Sequence, residues 1–505
     1  MSAANIRHYY PPGPVAAAFL RSNAFIAGIR GPIGSGKSTA VVMKLLRHAS
    51  MQPRQRNGRR RARYGVIRNT YDELRRTTVE TWHQWVPKSL GRWHGGEQGP
   101  FSHTLNGVFA PDLDIEVEFL AMDQPDDVKK VLSWELTAAW VNEARELPKP
   151  VIDALTGRVG RFPAAADGGC FNPAVWLDTN PPDDDHWWYV LAERDPSTEA
   201  DRRMLDHNAV IEAELRERGI LAPGQPLVEF FSQPSGLSPI AENLANLRPG
   251  YYQFASVGKT EDWIKVYVRG EYGFVQEGKP VYPEYRDSVH CAAFELIPGL
   301  PIRIGLDFGL TPAAVFAQRS YLGQWRWHTE LCTQDTGIYR FAELLHAHVA
   351  EHYRGYKFVQ ITGDPAGDQR SPTDAKERTT FQILRALKVP ASPASSNDFT
   401  RRREAVARPL SRLIDGAPGL VIHPNCRTTR KGMAGGYAYK RLRVTGEERF
   451  ENKPHKNMYS HSCEAGQYLH LGGGEWQEIK KGAGMGAAPA IVMPSFQPAD
   501  PGMGY

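Results

Sequence analysis

GPIGSGKS, residues Gly31 to Ser38, is the stretch that decides the fold of the first half of this chain. It fits the pattern GxxxxGKS/T of a phosphate-binding loop, in which backbone N–H groups and a helix N-terminus surround phosphate oxygens. The apolar run over 24–29 predicts a buried strand before the loop, and the apolar spacing over 37–49 predicts a helix after it. A strand, a glycine loop and a helix in this order predict a site for a nucleoside triphosphate.

The residues of this loop have distinct expected roles. Lys37 is expected to reach the terminal phosphates of ATP, and the Ser38 hydroxyl is expected to hold Mg²⁺. The other interpretation, a glycine-rich turn with an isolated lysine, is less favoured because a predicted strand and helix flank the motif. The predicted nucleotide-binding residues of the loop are Gly31, Pro32, Ile33, Gly34, Ser35, Gly36, Lys37, Ser38 and Thr39.

Strands and helices continue to alternate along the first half of the chain. Such alternation predicts a parallel sheet with helices on both faces and with ligands at the carboxyl ends of the strands. The predicted strands after the loop are 64–68, 113–119, 136–141, 176–181 and 227–231, and a short helix is predicted over 125–132.

Polar residues after two of these strands are the candidate hydrolytic residues. Glu143 follows the apolar run 136–141 and is the candidate base that activates water. Asn142 stands where a metal-holding aspartate is usual, and an amide can still orient a metal-bound water, although with less charge. Thr179 and Asn180 are candidates for sensing the γ-phosphate. The alternative for these positions is an ordinary strand end with solvated polar residues.

Composition and charge are compatible with a nucleic acid partner. The chain has 505 residues, 41% of them hydrophobic, and a net charge of +5 at pH 7, so it can bury two or three cores. Any single basic run is best explained as solvated surface, but four runs together favour a polyanionic partner. The runs are 54–63, 401–403, 427–431 and 440–443.

Cysteine usage and hydropathy predict a reduced, aqueous environment. The five cysteines are far apart and form no CxxC pair, which indicates free thiols in a cytosol. No signal peptide and no membrane-spanning segment is expected.

The second half has the element order of a ribonuclease H-like nuclease. Three strands within 302–331, a helix over 339–353 and a strand over 358–364 are followed by a long helix carrying Leu410 and Leu413 and by a helix over 459–471. Asp307, Asp364 and Glu464 lie at or near element ends and could form one carboxylate cluster. Two metal ions about 3.5–4 Å apart need such a cluster to activate water and stabilise the leaving oxygen. Any one of these acids alone is more often a solvated carboxylate.

Several ordered motifs give the chain a resemblance to a known family. The motifs are GPIGSGKS, VIRNTYDEL at 66–74, AWVNEA at 139–144, TNP at 179–181, GLDFG at 305–309, GDPAG at 363–367 and NMYSHSCEAGQYL at 457–469. Over roughly residues 1–475 the chain resembles the large terminase subunits of tailed bacteriophages, which cut and package DNA. The phosphate loop alone is generic, and the ordered combination is specific.

The resemblance implies a role for each matched residue. Lys37 and Ser38 would bind ATP and Mg²⁺, Glu143 would be the hydrolytic glutamate, and Thr179 and Asn180 match the coupling motif. The nuclease acids would be Asp307, Asp364 and Glu464, holding two divalent ions, Mg²⁺ or Mn²⁺. Two departures stand out: Asn142 replaces the usual aspartate, and Glu464 stands where the family generally has aspartate.

The resemblance also implies the partners and the domain plan. The expected partners are double-stranded DNA, a portal protein, a small terminase subunit and further copies in a ring on the portal, without a membrane. The expected location is the host cell cytoplasm, with transient docking on the procapsid. The predicted domains are a P-loop ATPase over 1–240, a connecting segment over 241–297, a ribonuclease H-like nuclease over 298–476 and a flexible tail over 477–505.

Two functions of other classes remain open. A transposase-like recombinase would also use an Asp-Asp-Glu cluster, and strand-transfer activity would favour it. A structural docking subunit with a decayed ATPase is suggested by Asn142, and ATP turnover separates it from an active motor.

Overall fold

A computed structural model of the chain describes residues 9–95, 101–122, 127–196, 198–273, 278–309, 311–368, 378–442, 449–451 and 453–475. The predicted tail over 477–505 lies outside these residues. The chain forms two compact units, divided between residues 275 and 276. The predicted connecting segment 241–297 is therefore shared between the two units.

The first unit is built on an eight-stranded sheet. Its spatial order is β3-β4-β5-β2-β6-β7-β1-β8; the β3–β4 and β4–β5 pairs are antiparallel, and all other pairs are parallel. The strands are β1 (Ile26–Arg30), β2 (Arg60–Arg68), β3 (Arg92–His94), β4 (Phe101–Asn106), β5 (Leu113–Ala121), β6 (Ala138–Asn142), β7 (Ala174–Thr179) and β8 (Val228–Ser232).

Helices connect these strands. Two segments, Leu74–Val79 and Ile264–Val268, are π-helical. The α-helices are α1 (Pro14–Arg21), α2 (Lys37–Ser50), α3 (Tyr71–Glu73), α4 (Glu80–Trp85), α5 (Val128–Val131), α6 (Lys149–Thr156), α7 (Trp187–Glu193), α8 (Glu199–Glu217), α9 (Tyr251–Ser256) and α10 (Glu261–Trp263).

Two apolar clusters cover the two faces of this sheet. One contains Ile29 of β1 and Val66 of β2 with apolar residues of α1, α2 and α4. The other contains Ile67 and Val141 with residues of α6 and α7. Burial on both faces explains why β6 and β7 are continuous apolar runs, the pattern of central parallel strands.

The second unit is built on a six-stranded sheet of order β14-β13-β10-β11-β12-β17. Strands β10, β11 and β12 form an antiparallel meander, and β13 pairs in parallel with β10 after a helical crossover. The strands of this sheet are β10 (Ile302–Asp307), β11 (Ala313–Arg319), β12 (Trp325–Cys332), β13 (Phe358–Gly363), β14 (Ser392–Pro393) and β17 (Leu420–Ile422). Three strand pairs lie outside it: β9 (Lys279–Pro280) with β18 (Ala438–Tyr439), β15 (Leu413–Ile414) with β16 (Ala417–Pro418), and β19 (Arg441–Leu442) with β20 (Arg449–Phe450).

Helices also cover both faces of the second sheet. Residues of α12 and α13 pack on one face with Ile304 and Phe316, and residues of α14 and α16 pack on the other with Val315 and Trp327. The helices are α11 (Asp287–His290), α12 (Ile338–His352), α13 (Thr380–Ala386), α14 (Phe399–Ser411), α15 (Arg427–Lys431) and α16 (Met458–Gly472), and Gly432–Gly436 is π-helical.

The predicted fold class is confirmed: the first unit is α/β with a mainly parallel sheet, and the second has the predicted ribonuclease H-like strand order. One helix was placed wrongly. Leu413 does not belong to the long helix of Leu410, because α14 ends at Ser411 and Leu413 begins the short strand β15.

Candidate active sites

The phosphate loop connects β1 to α2, as the sequence predicted. Gly34 and Gly36 have φ angles of 72° and 84°, a left-handed conformation that glycine adopts without steric cost. The Lys37 ammonium donates to the carbonyl oxygens of Gly31 and Pro32 at 3.0 and 2.7 Å. Burial lowers the pKa of Lys37, whereas the carboxylates of Glu143 and Asp178 raise it.

Two side chains from distant segments hold the shape of this loop. Gln233, which follows β8, donates to the carbonyl oxygen of Ser35 at 3.0 Å and accepts from the Ser35 hydroxyl at 2.7 Å. Asn243 donates to the carbonyl oxygen of Gly34 at 2.6 Å. The sequence motif does not indicate either residue. Both are far from the loop in sequence, and only the folded chain brings them next to it.

A buried carboxylate that was not among the predicted site residues lies beside Ser38. The Ser38 hydroxyl donates to Oδ2 of Asp178 at 2.6 Å, and Trp140 donates its indole N–H to Oδ1 at 2.6 Å. Asp178 is on β7, directly opposite Asn142 on β6, and has no solvent exposure. Burial raises the pKa of Asp178 and nearby Glu143 raises it further, while hydrogen bonds from Ser38, Trp140 and Asn142 act in the opposite direction.

Glu143 lies where β6 ends and contacts the predicted coupling motif. Its Oε2 accepts from the Thr179 hydroxyl and from the backbone N–H of Asn180, both at 3.3 Å. The Asn180 side chain in turn donates to the carbonyl oxygen of Gly31 at 2.8 Å. The structure therefore brings the candidate base, the coupling motif and the phosphate loop together.

Arg145 is a further cation at this site that the sequence analysis missed. Its guanidinium donates to the hydroxyl of Tyr267, and its positive charge lowers the pKa of Lys37. Its own pKa is raised: burial lowers it, but Tyr267, Glu143 and Glu146 outweigh that effect. Its position two residues after Glu143 could have identified it from the sequence.

In the second unit, Asp307 is buried at the end of β10. It is 2% exposed, and its Oδ2 contacts Nδ1 of His461 at 2.8 Å. Burial raises the pKa of Asp307 to about 6, with a further contribution from Glu464 and an opposing one from His461. His461 and Glu464 are three residues apart on α16, so they lie on the same face of this helix.

Glu464 is equally buried and is surrounded by donors. Tyr437 donates to its Oε1 at 2.6 Å, Arg402 donates to its Oε2 at 3.2 Å, and the Lys456 ammonium also contacts Oε2. Burial raises the pKa of Glu464, but Lys456 and Arg402 outweigh this effect and hold it below its ordinary value.

Asp364 follows β13 and lies next to the end of β10. Its backbone N–H donates to the carbonyl oxygen of Leu306 at 3.2 Å, and its Oδ1 accepts from the N–H of Ala366 at 2.9 Å. Burial raises the pKa of the Tyr468 phenol, Arg402 lowers it, and the carboxylates of Asp364, Asp307 and Glu464 each raise it further. All three acids therefore act electrostatically on the same phenol group.

These acids are not drawn into one tight cluster. Among the described residues, only Asp183, Asp184 and Asp185 bring three such ligand atoms within 4.8 Å of one another. Glu464 instead engages Arg402 and Lys456, two cations that neutralise its charge.

The basic runs are largely engaged in ion pairs. Arg402 is 7% exposed and Arg403 pairs with Glu284, so only Arg401 of that triplet is exposed. The prediction that all of 401–403 is solvated surface was therefore wrong. Pairs of the other runs are Arg59–Asp114, Arg60–Asp112, Arg63–Glu116 and Arg430–Asp287.

Within the described ranges, no helix has both the length and the apolar composition needed to cross a bilayer.

Comparisons with known proteins find similarity among solved structures. No protein-family model and no curated protein matches the chain. The large terminase of a thermophilic bacteriophage, solved with ADP, is 15% identical with a TM-score of 0.37, over 90% of this chain and 98% of that one. The HK97 bacteriophage large terminase is 10% identical with a TM-score of 0.38, over 91% of this chain and 94% of that one.

A single terminase domain is also similar to part of this chain. The large terminase nuclease domain of bacteriophage SPP1, solved with bound Mn, is 15% identical with a TM-score of 0.25, over 36% of this chain and 94% of that domain. The solved structures to which this chain is similar are thus large terminases of bacteriophages, the family that the sequence motifs resemble.

Proposed function

We propose that this chain is the ATP-driven motor and nuclease of a viral DNA-packaging machine. ATP hydrolysis in the first unit would drive double-stranded DNA into a procapsid, and the second unit would cut concatemeric DNA. The portal, a small terminase subunit and further copies of this chain in a ring are its proposed partners, and the host cytoplasm is its proposed location. The observation that carries the proposal is that each unit has the side chains proposed for hydrolysis near the carboxyl ends of strands in its own sheet.

The first unit has the donors that a nucleoside triphosphate requires. The left-handed turns at Gly34 and Gly36 expose backbone N–H groups at the start of α2, and the Lys37 ammonium adds positive charge beside them. ATP would be held by residues 31–39, and Mg²⁺ beside Ser38 would balance the charge of the phosphates.

Hydrolysis in this unit requires a base and a means of sensing the γ-phosphate. Glu143 is the proposed base, because its carboxylate follows β6 and contacts Thr179 and Asn180, next to the phosphate loop. Thr179 and Asn180 connect that carboxylate to Gly31, so a change at the phosphates would be passed to β7 and to the segment after it.

The second unit has the carboxylates that a phosphodiesterase requires. Carboxylate oxygens are the ligands that Mg²⁺ and Mn²⁺ prefer, and the proposed ligands are Asp307, Asp364 and Glu464. Divalent ions at these acids would supply the charge that activates water and stabilises the leaving oxygen. His461 orients Asp307, while Arg402 and Tyr437 fix Glu464.

A docking subunit with a decayed ATPase is not favoured. That alternative was suggested by Asn142, which removes a negative charge from the site. Asp178 places a carboxylate 2.6 Å from the Ser38 hydroxyl, so a negative charge is available next to the loop.

A packaging assay tests the proposed function. The purified chain, its cognate procapsids, linear double-stranded DNA and ATP are combined, and DNA that resists added DNase is measured. ATP-dependent protection is expected, with none in the presence of a non-hydrolysable ATP analogue. Joining of a DNA end to a second duplex without protection would favour a recombinase instead.

A further inference from the structure

The orientation of the Asn142 amide decides which atoms it presents to Ser38. Its Oδ1 accepts from the Thr78 hydroxyl at 2.7 Å. Its Nδ2 donates to both carboxylate oxygens of Asp178, at 3.1 and 3.0 Å, and to the Ser38 hydroxyl oxygen at 3.3 Å. Turning the amide over would place Oδ1 against the carboxylate, which is unfavourable. Asn142 therefore directs an NH₂ group toward Ser38, and an NH₂ group cannot bind a metal ion.

Asp178 supplies the carboxylate that Asn142 lacks, and it does so next to the same Ser38 hydroxyl. The two residues are opposite each other on neighbouring parallel strands, and cross-strand partners project from the same face of a sheet. Asp178 accepts hydrogen bonds from Ser38, Trp140 and Asn142, which fix its orientation although it is fully buried. The Ser38 hydroxyl donates its proton to Asp178 and accepts one hydrogen bond from Asn142, so the second lone pair of its oxygen stays available to a cation.

We propose that Asp178 is the acid that positions Mg²⁺ in the ATPase site, taking over from β7 the role that Asn142 cannot perform from β6. Asp178 acts through the Ser38 hydroxyl and is a positioning residue. Asn142 acts as its clamp, since it donates to both carboxylate oxygens. This inference rests on the proposed ATPase function and adds to it the source of the negative charge.

The test relocates the negative charge between the two strands. Three variants are compared with the unmodified full chain: Asp178→Asn, Asn142→Asp, and both together. The double variant, called the exchange variant, moves the carboxylate from position 178 to position 142. Aspartate and asparagine have nearly the same size and shape, and a thermal melt of each variant checks folding. The readouts are Mn²⁺ binding in the presence of ATPγS, followed by electron paramagnetic resonance, and binding of ATPγS in excess chelator without metal.

Loss of a group that orients a metal ligand typically lowers metal affinity by about 10- to 100-fold, so Asp178→Asn should weaken Mn²⁺ binding by about that factor. Binding of metal-free ATPγS should change by less than about twofold. The exchange variant should recover most of the Mn²⁺ affinity, because it restores one carboxylate to the pair. Asn142→Asp alone should gain little, because two carboxylates about 3 Å apart do not both ionise readily.

Three results would overturn the inference. They are unchanged Mn²⁺ affinity in Asp178→Asn, an equal loss of metal-free ATPγS binding in that variant, and a large gain of Mn²⁺ affinity in Asn142→Asp alone. Failure of the proposed function has a different signature, because the unmodified chain would then bind no ATPγS with or without metal.

Discussion

Glu143 has an uncommon backbone conformation at the point where the proposed chemistry takes place. Its φ of 49° lies in the left-handed region. This conformation costs a non-glycine residue about 1–3 kcal/mol and persists only where other contacts compensate for that cost. The contacts of its carboxylate with Thr179 and Asn180 supply that support. The turn directs the side chain back toward the phosphate loop, as a base for hydrolysis requires.

Replacing this carboxylate by an amide tests its role as a base. Glu143→Gln keeps the size of the side chain but removes the proton acceptor, so ATP binding should persist while turnover falls by about 100-fold or more. Fluorescent nucleotide binding and phosphate release are measured together. The control is Asp153→Asn, an exposed acid on α6 that should retain turnover. Normal phosphate release by Glu143→Gln would place the base elsewhere.

The sequence predicted the loop residues and the acids at strand ends because these are local patterns. Asp178 was not predicted as a site residue, although its position directly before TNP, at the end of an apolar strand, could have indicated it. The missing information was strand order: β7 lies between β1 and β6, so Asp178 faces Ser38 on one side and Asn142 on the other. The sequence also gave no sign that Arg402 is buried against Glu464.

At the scale of elements, α16 lies very close to β10. A Cβ atom built on Gly305 would lie 2.0 Å from the backbone oxygen of Ala465, and one built on Gly466 would lie 2.3 Å from the Trp327 ring. Glycine at these positions lets the helix approach the sheet and brings His461 into contact with Asp307. Asn457 caps the N-terminus of α16, and its side chain accepts from the N–H groups of Tyr459 and Ser460.

Adding a methyl group at this contact should disturb the proposed nuclease site. Gly305→Ala must move α16 away from β10, because the clash is with backbone, and overpacking of this kind costs about 1–3 kcal/mol. Urea unfolding should show this loss and metal-dependent plasmid cleavage should fall, while ATP hydrolysis persists. The control is Gly337→Ala, where an added Cβ has no neighbour within 4 Å among the described residues. Unchanged stability and cleavage in Gly305→Ala would contradict the close contact.

Two neighbouring arginines of α14, Arg401 and Arg402, have different environments. Arg402 contacts Glu464 and Gln467, whereas Arg401 is exposed. Arg402→Gln should therefore lower DNA cleavage by about 10-fold or more while the salt dependence of DNA binding stays the same. Arg401→Gln, the matched control on the same helix, should keep cleavage, and the salt slope should become shallower by about one if Arg401 contacts a phosphate.

DNA binding measured at several salt concentrations, together with plasmid cleavage, separates the two residues. A flatter salt dependence in Arg402→Gln, with cleavage intact, would mean that this side chain binds DNA and does not support Glu464.

Elements with strong periodicity were predicted, and those that depend on tertiary pairing were not. The alternating pattern of 113–119 predicted β5, which spans Leu113–Ala121. The antiparallel hairpin β3–β4 at the edge of the first sheet, and the 19-residue α8, were missed. None of the described residues of α8 is buried, so this helix contributes no core position to the first unit.

At the scale of the whole molecule, the two proposed active sites belong to separate compact units. The phosphate loop, Asp178 and Glu143 are in the first unit, and Asp307, Asp364 and Glu464 are in the second. Each unit has its own sheet and its own apolar clusters, so each site is assembled by the fold of its own unit. We therefore expect one chain to carry two hydrolytic sites that can be inactivated separately.

The most direct test measures both activities on the same preparations of the full chain. Lys37→Ala removes the ammonium group of the loop, and Asp307→Asn removes a buried carboxylate beside His461. ATP hydrolysis and Mn²⁺-dependent plasmid cleavage are measured for both variants and for the unmodified chain. Lys37→Ala should lose ATP hydrolysis and keep cleavage without ATP, and Asp307→Asn should show the reverse. Loss of both activities in either variant, with the fold intact by thermal melting, would contradict two separate sites.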